Sequence, residues 1–222
     1  MIKVDLHVHT ESSADCLTPY GEVIRWAQRR QLDALAITDH NTIEGALVVS
    51  AMSPLRIIVG EEVRTTRGEI IGLFLREEIP ALLSPAETVR VIRRQGGLVY
   101  IPHPMDRVGR CALQLGALKE IIKEVHIIET LNARVIFPLD NRRAEELARS
   151  YGLPGGAGSD AHQGFEIGRA YLEMPAFTDA GSFLESVRRG KVRGRLSSPL
   201  VHVGSTYAKF AKGLMALAPS AK

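Results

Sequence analysis

The sequence predicts an α/β protein whose strands alternate with helices and, at about seven such units, close into a barrel. Three observations lead there. Short β-branched or apolar runs recur with amphipathic helical stretches between them. The 222 residues, 45% hydrophobic and 24% charged, suit one well-buried globular core rather than a disordered or fibrous chain. Five of the seven histidines, His7, His9, His40, His103 and His162, fall at or just after the ends of predicted strands, where parallel βα architectures place their sites.

Residues 2–9 alternate β-branched and polar side chains and read as a strand. Thr18-Pro19 supplies a cap and a helix-starting proline for a helix over 21–30. An apolar strand at 34–38 and a helix at 43–50 follow. Strands at 56–66 and 69–75, separated by Arg67-Gly68, form a predicted hairpin. Ser84-Pro85-Ala86-Glu87 has the form of a capping box opening a helix over 88–95, which Gly96-Gly97 ends. The alternation continues with strands at 98–101, 125–130, 155–159 and 170–174 and helices at 113–123, 139–151 and 180–189. Residues 190–199 read as a loop, and 206–218 as a terminal helix with Lys209 and Lys212 on one side. Such alternation predicts a parallel sheet.

The longest apolar run, 70–75, is far short of the ~20 residues that span a bilayer. The N-terminus has no apolar stretch or cleavage site of a secretory signal, and two cysteines, Cys16 and Cys111, make no disulfide framework, so a cytoplasmic protein with reduced thiols is expected. The net charge of +3 conceals a split: 1–185 is net −5, while 186–222 carries 8 Lys and Arg and no acid.

In His7-x-His9 the imidazoles are two residues apart on a strand and project from one face, able to converge on one metal or two adjacent ones. Asp160-x-His162 repeats the spacing with a carboxylate. A mixed imidazole and carboxylate set suits zinc, manganese or iron better than magnesium or calcium. Asp15, in the polar loop after His9, can reach back over such a site. His126 opens a strand at the opposite end and reads as structural, His202 as a packing residue of the tail, and Glu129 as an outer partner of the site.

Taken in order, Asp5-Leu6-His7-Val8-His9, Thr38-Asp39-His40, Gly60-Glu61-Glu62-Val63, Ile101-Pro102-His103-Pro104 and Gly158-Ser159-Asp160-Ala161-His162 resemble the motifs of the polymerase and histidinol phosphatase (PHP) family of metal-dependent phosphoesterases. The resemblance covers about residues 2–175, and 176–205 is similar to an extension of many short members. It implies a distorted (β/α)7 barrel over 1–175, a metal cluster at the C-terminal mouth of the strands, and an extension over 176–222 of helix, basic loop and terminal helix packed on the barrel. It further implies two or three divalent cations, zinc, manganese or iron, held by His7, His9, Asp15, His40, Glu62, Glu69, His103, Asp160 and His162. Asp39 is expected to orient a neighbour instead. Glu61 competes with Glu62, and only one of them can face inward on a strand. Glu69 stands where relatives often have His, which makes it the one departure from the pattern.

The activity implied is hydrolysis of a phosphomonoester by metal-activated water. Asp160 or His162 would take or relay the proton, and His103 or His40 would protonate the leaving oxygen. Arg107 and Arg134, in loops at the same end, are candidates to hold phosphate. A small-molecule phosphate ester is the favoured partner. A nuclease or oligonucleotide phosphatase steered by the basic tail, and a non-catalytic metal-binding scaffold, are the alternatives. C–N bond hydrolysis on a similar barrel would want a lysine at a strand end, and Lys3, Lys119 and Lys123 are badly placed for that.

Overall fold

A computed structural model of the chain describes residues 1–109 and 111–217. Among these described residues nine strands form one sheet. In chain order the elements are β1 (Ile2–Val8), α1 (Tyr20–Arg29), β2 (Ala34–Ile37), α2 (Glu44–Met52), β3 (Arg56–Thr65), β4 (Gly68–Leu73), α3 (Pro85–Arg94), β5 (Leu98–Ile101), α4 (Leu115–Ile121), β6 (Ile127–Asn132), α5 (Pro138–Ser150), β7 (Gly155–Gly158), β8 (Ala170–Met174), α6 (Ala180–Arg188), β9 (Lys191–Gly194) and α7 (Val201–Leu217). The capping box at Ser84 is formed, with Glu87 N donating to Ser84 Oγ at 3.3 Å and Ser84 N donating to the Glu87 carboxylate at 3.0 Å.

The strands run in the order β7-β6-β5-β4-β3-β2-β1-β8-β9. The sheet is mixed: the predicted hairpin forms, with β4 antiparallel to β3 and also to β5, and β8, antiparallel to β1 and β9, departs from the parallel pattern of the alternating units. A two-residue connection at Thr66-Arg67 leaves no length for a crossover, so β4 must run back along β3. Gly68 makes the turn possible. Its φ is +116°, and a Cβ there would lie 2.5 Å from Ala112 O. The reversal also brings the beginning of β4, rather than its end, to the rim where the parallel strands finish.

The outer side of β1 is shared. Ile2, Lys3 and Val4 pair with β8, while beyond them the segment after β7 takes over. Asp160 N donates to His7 O at 2.7 Å and His9 N to Ala161 O at 3.0 Å, so β1–β7 come almost full circle into a distorted barrel. The interior is filled by Val4, Leu6, Ala36, Ile58, Leu73 and Tyr100, and it is continuous with Phe177, Phe183 and Val187 from the chain beyond β8. Leu35 and Ile37 face the other way onto Val23 of α1 and Val49 of α2.

Two further expectations change. The loop predicted over 190–199 contains β9, an edge strand whose Lys-Val-Arg-Gly sequence is exposed throughout and so lacks apolar alternation. The terminal helix begins at Val201 rather than 206, and its predicted end at Ala218, with residues 219–222 of the extension, lies outside the described residues. No helix among the described residues is long and apolar enough to cross a membrane.

Candidate metal centre

A bulge in β1 aims the first two histidines. Val4 pairs with Ala34 and Asp5 with Leu35, but the next matched pair is Val8 with Ile37, so three steps on β1 answer two on β2. Leu6 and His7 therefore both turn inward, and His9 follows His7 on the same face. Thr10 then anchors the loop, donating through N and Oγ1 to the two oxygens of Asp39, each at 2.6 Å. That fixed loop delivers Ser13 and Asp15 to the rim.

The nine expected side chains come together. Glu62 is central: Oε2 lies 3.2 Å from His7 Nε2, 3.4 Å from His9 Nε2 and 3.2 Å from His40 Nδ1, while Oε1 lies 3.0 Å from His103 Nε2. Glu61, one residue earlier, points outward and accepts from Ile79 N at 2.8 Å. Asp160 Oδ1 is 3.4 Å from His9 Nε2 and 3.8 Å from His7 Nε2. Asp15 faces His162 at 3.1 Å and His40 at 3.4 Å. Glu69, at the beginning of the reversed β4, is 3.8 Å from His103 and 3.9 Å from His40. Backbone conformation is strained at two of these residues, with φ of +28° at His103 and +53° at Asp160.

Outer partners set the imidazole tautomers. His7 Nδ1 donates to Glu129 at 3.2 Å and His162 Nδ1 to Asp160 O at 2.9 Å, which turns the Nε2 of each neutral ring to the centre as a lone pair, and His9 Nδ1 is bonded to Ser13 Oγ at 2.9 Å. Glu129 does more than the sequence suggested. Tyr100 OH donates to it at 2.9 Å, His103 N at 2.7 Å and Asn132 Nδ2 at 2.9 Å, so one buried carboxylate orients elements from β1, β5 and β6. Glu129→Gln should weaken metal binding about 10–100-fold while the protein stays folded, as read by metal titration. Unchanged affinity would reduce Glu129 to a packing residue.

These residues fit divalent cations. His7 Nε2 and His9 Nε2 lie 3.1 Å apart, a separation that suits two ligands of one cation. Three groups, His9 with His40 and His162, His7 with Glu62 and His103, and His7 with His9 and Asp160, bring their donor atoms within 4.8 Å of one another. Asp15 Oδ1 and His103 Nδ1 are buried without a hydrogen-bond partner. The electrostatics agree. Burial pushes Glu62 and Asp160 up, but the surrounding imidazoles, His7 foremost, overcome it and hold both well below the usual carboxylate range. Burial pushes His9 and His103 down, and their bonds to Asp160 and Glu62 raise them to about 9. Glu69, pushed up by burial and by the charge of Glu62, reaches about 7. The site therefore attracts positive charge strongly.

The two arginines expected to hold phosphate are engaged elsewhere. Arg107 Nε donates to Asp140 at 2.8 Å and its guanidinium stacks over Phe137. Arg134 is buried, with Nη1 paired to Glu166 at 3.0 Å and Nη2 donating to Ser205 Oγ at 2.9 Å. Glu166 in turn accepts from His162 N at 3.2 Å, so Arg134 braces the loop that carries His162. His126 Nδ1 accepts from Val99 N at 2.9 Å, away from the centre. His202 Nε2 donates to Arg134 O at 3.0 Å. Sequence reasoning missed Ser13, Tyr100, Asn132 and Glu166. Only Glu166, four residues after His162, carried even a positional hint.

The PHP domain family matches residues 5–151, and its PHP-associated C-terminal region matches 138–192. An uncharacterized protein of Methanocaldococcus jannaschii is 39% identical over 176 residues, covering 78% of this chain and 70% of the relative. A 3′,5′-nucleoside bisphosphate phosphatase of Chromobacterium violaceum is 29% identical over 182 residues, 73% of this chain and 59% of that enzyme. Among solved structures, a two-domain protein of Bacteroides vulgatus containing a predicted PHP-like metal-dependent phosphoesterase superposes with a TM-score of 0.70 at 19% identity, over 87% of this chain and 65% of that one. The lesion-specific endonuclease Q of Pyrococcus furiosus does so with a TM-score of 0.63 at 13% identity, over 86% and 57%. With a match that begins at Asp5, ahead of the His7-x-His9 pair, and runs beyond Glu129, the chain belongs to the PHP domain family.

Proposed function

We propose that this protein is a metal-dependent phosphomonoesterase. The observation that supports it best is the convergence of five imidazoles and four carboxylates, with His7 Nε2 and His9 Nε2 3.1 Å apart at the centre. In this reading two or three cations, zinc, manganese or iron, are held by His7, His9, Asp15, His40, Glu62, Glu69, His103, Asp160 and His162. When bound, they supply a water acidic enough to attack phosphorus near neutral pH and offset charge on the phosphoryl oxygens.

The chain's own residues do the rest. Glu62, within 3.4 Å of four imidazoles, holds the two halves of the site in register. Asp160, steadied by Asn132 Nδ2 at 3.2 Å, takes the proton of the attacking water or passes it to His162. His103 or His40, where its ring is not fully taken up as a ligand, would return one to the leaving oxygen. No Ser or Cys nucleophile is needed. Cys16 is buried, and burial pushes its thiol up to about 12.

A small phosphate ester is the favoured substrate, in keeping with the bisphosphate phosphatase relative and the net acidic body. The nuclease reading draws on the endonuclease fold likeness and on the basic α7 beside the mouth. The test is metal content by mass spectrometry joined to a phosphate-release screen over p-nitrophenyl phosphate, sugar phosphates, nucleotides and histidinol phosphate. Two or three metals per chain with release from monoesters are expected. A reconstituted protein inert on every ester would leave a metal-binding scaffold, and oligonucleotide turnover that collapses between low and moderate salt would favour the nuclease.

A further inference from the structure

Asp15, Glu62, Glu69 and Asp160 line one rim as candidate ligands, and none of them can donate to an incoming phosphate. Arg107 and Arg134, the cations expected to receive it, are bound to Asp140 and Glu166. Among the described residues, the one Lys or Arg that pairs with any of those four carboxylates is Lys209, whose Nζ lies 3.3 Å from Asp15 Oδ2.

Lys209 reaches Asp15 because α7 is fastened across the loops that follow β1, β6 and β7. Gln163 Nε2 donates to Val201 O at 3.4 Å, His202 Nε2 to Arg134 O at 3.0 Å, and Arg134 Nη2 to Ser205 Oγ at 2.9 Å. Lys212 Nζ donates to Ser13 O at 2.5 Å and also to Glu11 O. Val201 and Ala208 are buried on this side, while Leu200, Val203, Tyr207 and Phe210 face outward. The helix is thus one wall of the mouth. Lys209, by contrast, is only tethered at its tip: its side chain remains 65% exposed, free to swing about its stem.

We propose that Lys209 is the cation that receives the substrate's phosphate, and that the site selects esters with a dianionic terminal phosphate; this rests on the phosphoesterase reading above. Asp15 already faces His40 and His162 at 3.4 and 3.1 Å. Were those three side chains to hold a divalent cation, it would offset the carboxylate's charge and weaken its hold on the ammonium, which stays within a side chain's reach of the mouth. A phosphate there is its replacement partner. An ammonium on a flexible stem binds phosphate as a point charge and needs no fixed fork, so it can follow the group through the reaction. Its charge favours a dianionic monoester over a monoanionic diester.

The experiment compares wild type, Lys209→Met and Lys209→Arg, each reconstituted with metal. Inorganic phosphate binding is followed by calorimetry, and KM is measured on p-nitrophenyl phosphate and bis(p-nitrophenyl) phosphate. Lys209→Met should weaken phosphate binding about tenfold or more and raise KM for the monoester by a similar factor, with kcat moving less. KM for the diester should shift less, metal content should stay the same, and Lys209→Arg should recover most of the loss. Unchanged phosphate affinity in Lys209→Met overturns the assignment. Tighter phosphate binding in that variant also overturns it, since Lys209 would then be a plug. If the wild type binds phosphate through Lys209 yet releases none from any ester, the phosphoesterase reading falls and the role of Lys209 stands.

Discussion

Glu62→Gln is expected to leave the purified protein with a small fraction of its metal and without measurable phosphate release. Glu62 is the one side chain within 3.4 Å of His7, His9, His40 and His103 together, and it brings its negative charge from a fully buried position. An amide keeps the shape and removes the charge, so mutually repelling cations lose the anion placed between their ligand groups. The loss of metal affinity should exceed the ~10–100-fold typical when an outer partner is removed. Glu61→Gln is the control. Its side chain is on the opposite face of β3, bonded to Ile79 N, and burial already pushes it up to about 8, so losing that charge should leave metal content at the wild-type level. Elemental analysis of both variants decides the matter. Full metal in Glu62→Gln, or depletion in both, would mean that Glu62 does not hold the cluster together.

That pair shows why much of the site was legible in the sequence. A strand alternates faces with a period of two, so His7 with His9 and Glu62 against Glu61 were constrained by spacing alone. Position along the strand was legible too, because a turn or loop signal follows each of His9, His40 and His103. What stayed hidden depends on contacts between distant segments. The β1 bulge that lets Leu6 and His7 both turn inward leaves no compositional trace. The hairpin at Arg67-Gly68 was readable, but its consequence, a reversed β4 that places Glu69 at the mouth by its first residues, breaks the parallel pattern that alternation suggests. Arg107 and Arg134 are in the loops expected of them. Their partners, Asp140 on α5 and Glu166 after β7, decide where the guanidinium groups point, and neither partner is near them in sequence. Lys209 is the extreme case: it meets Asp15 only because α7 returns across the barrel.

The second large effect is expected at a residue with no functional group. β7 reads Gly-Gly-Ala-Gly, a composition that weakens an isolated strand, and the reason for it is room. A Cβ on Gly156 would lie 2.3 Å from the Tyr100 ring, and one on Gly158 would lie 2.3 Å from His7 Cβ and 2.5 Å from Glu129 Oε1. Neither neighbour of Gly158 can retreat. His7 Cβ is next to a backbone already bulged, and the Glu129 carboxylate is committed to Tyr100, His103 and Asn132. Gly158→Ala should therefore cost about 1–3 kcal/mol or more by overpacking, a fall of roughly 3–10 °C in melting temperature for a chain of this size. It should also weaken metal binding, because the atoms it displaces are those that fix the His7 tautomer and the His103 backbone. Gly21→Ala separates this from the general effect of adding a methyl group. A Cβ at Gly21 meets nothing within 4 Å, and the residue is helical, so a neutral or slightly raised melting temperature with full metal content is expected. If Gly158→Ala melts and loads metal like the wild type, the close approach of β7 to the His7–Glu129 pair does not constrain the site, and the barrel can open there at little cost.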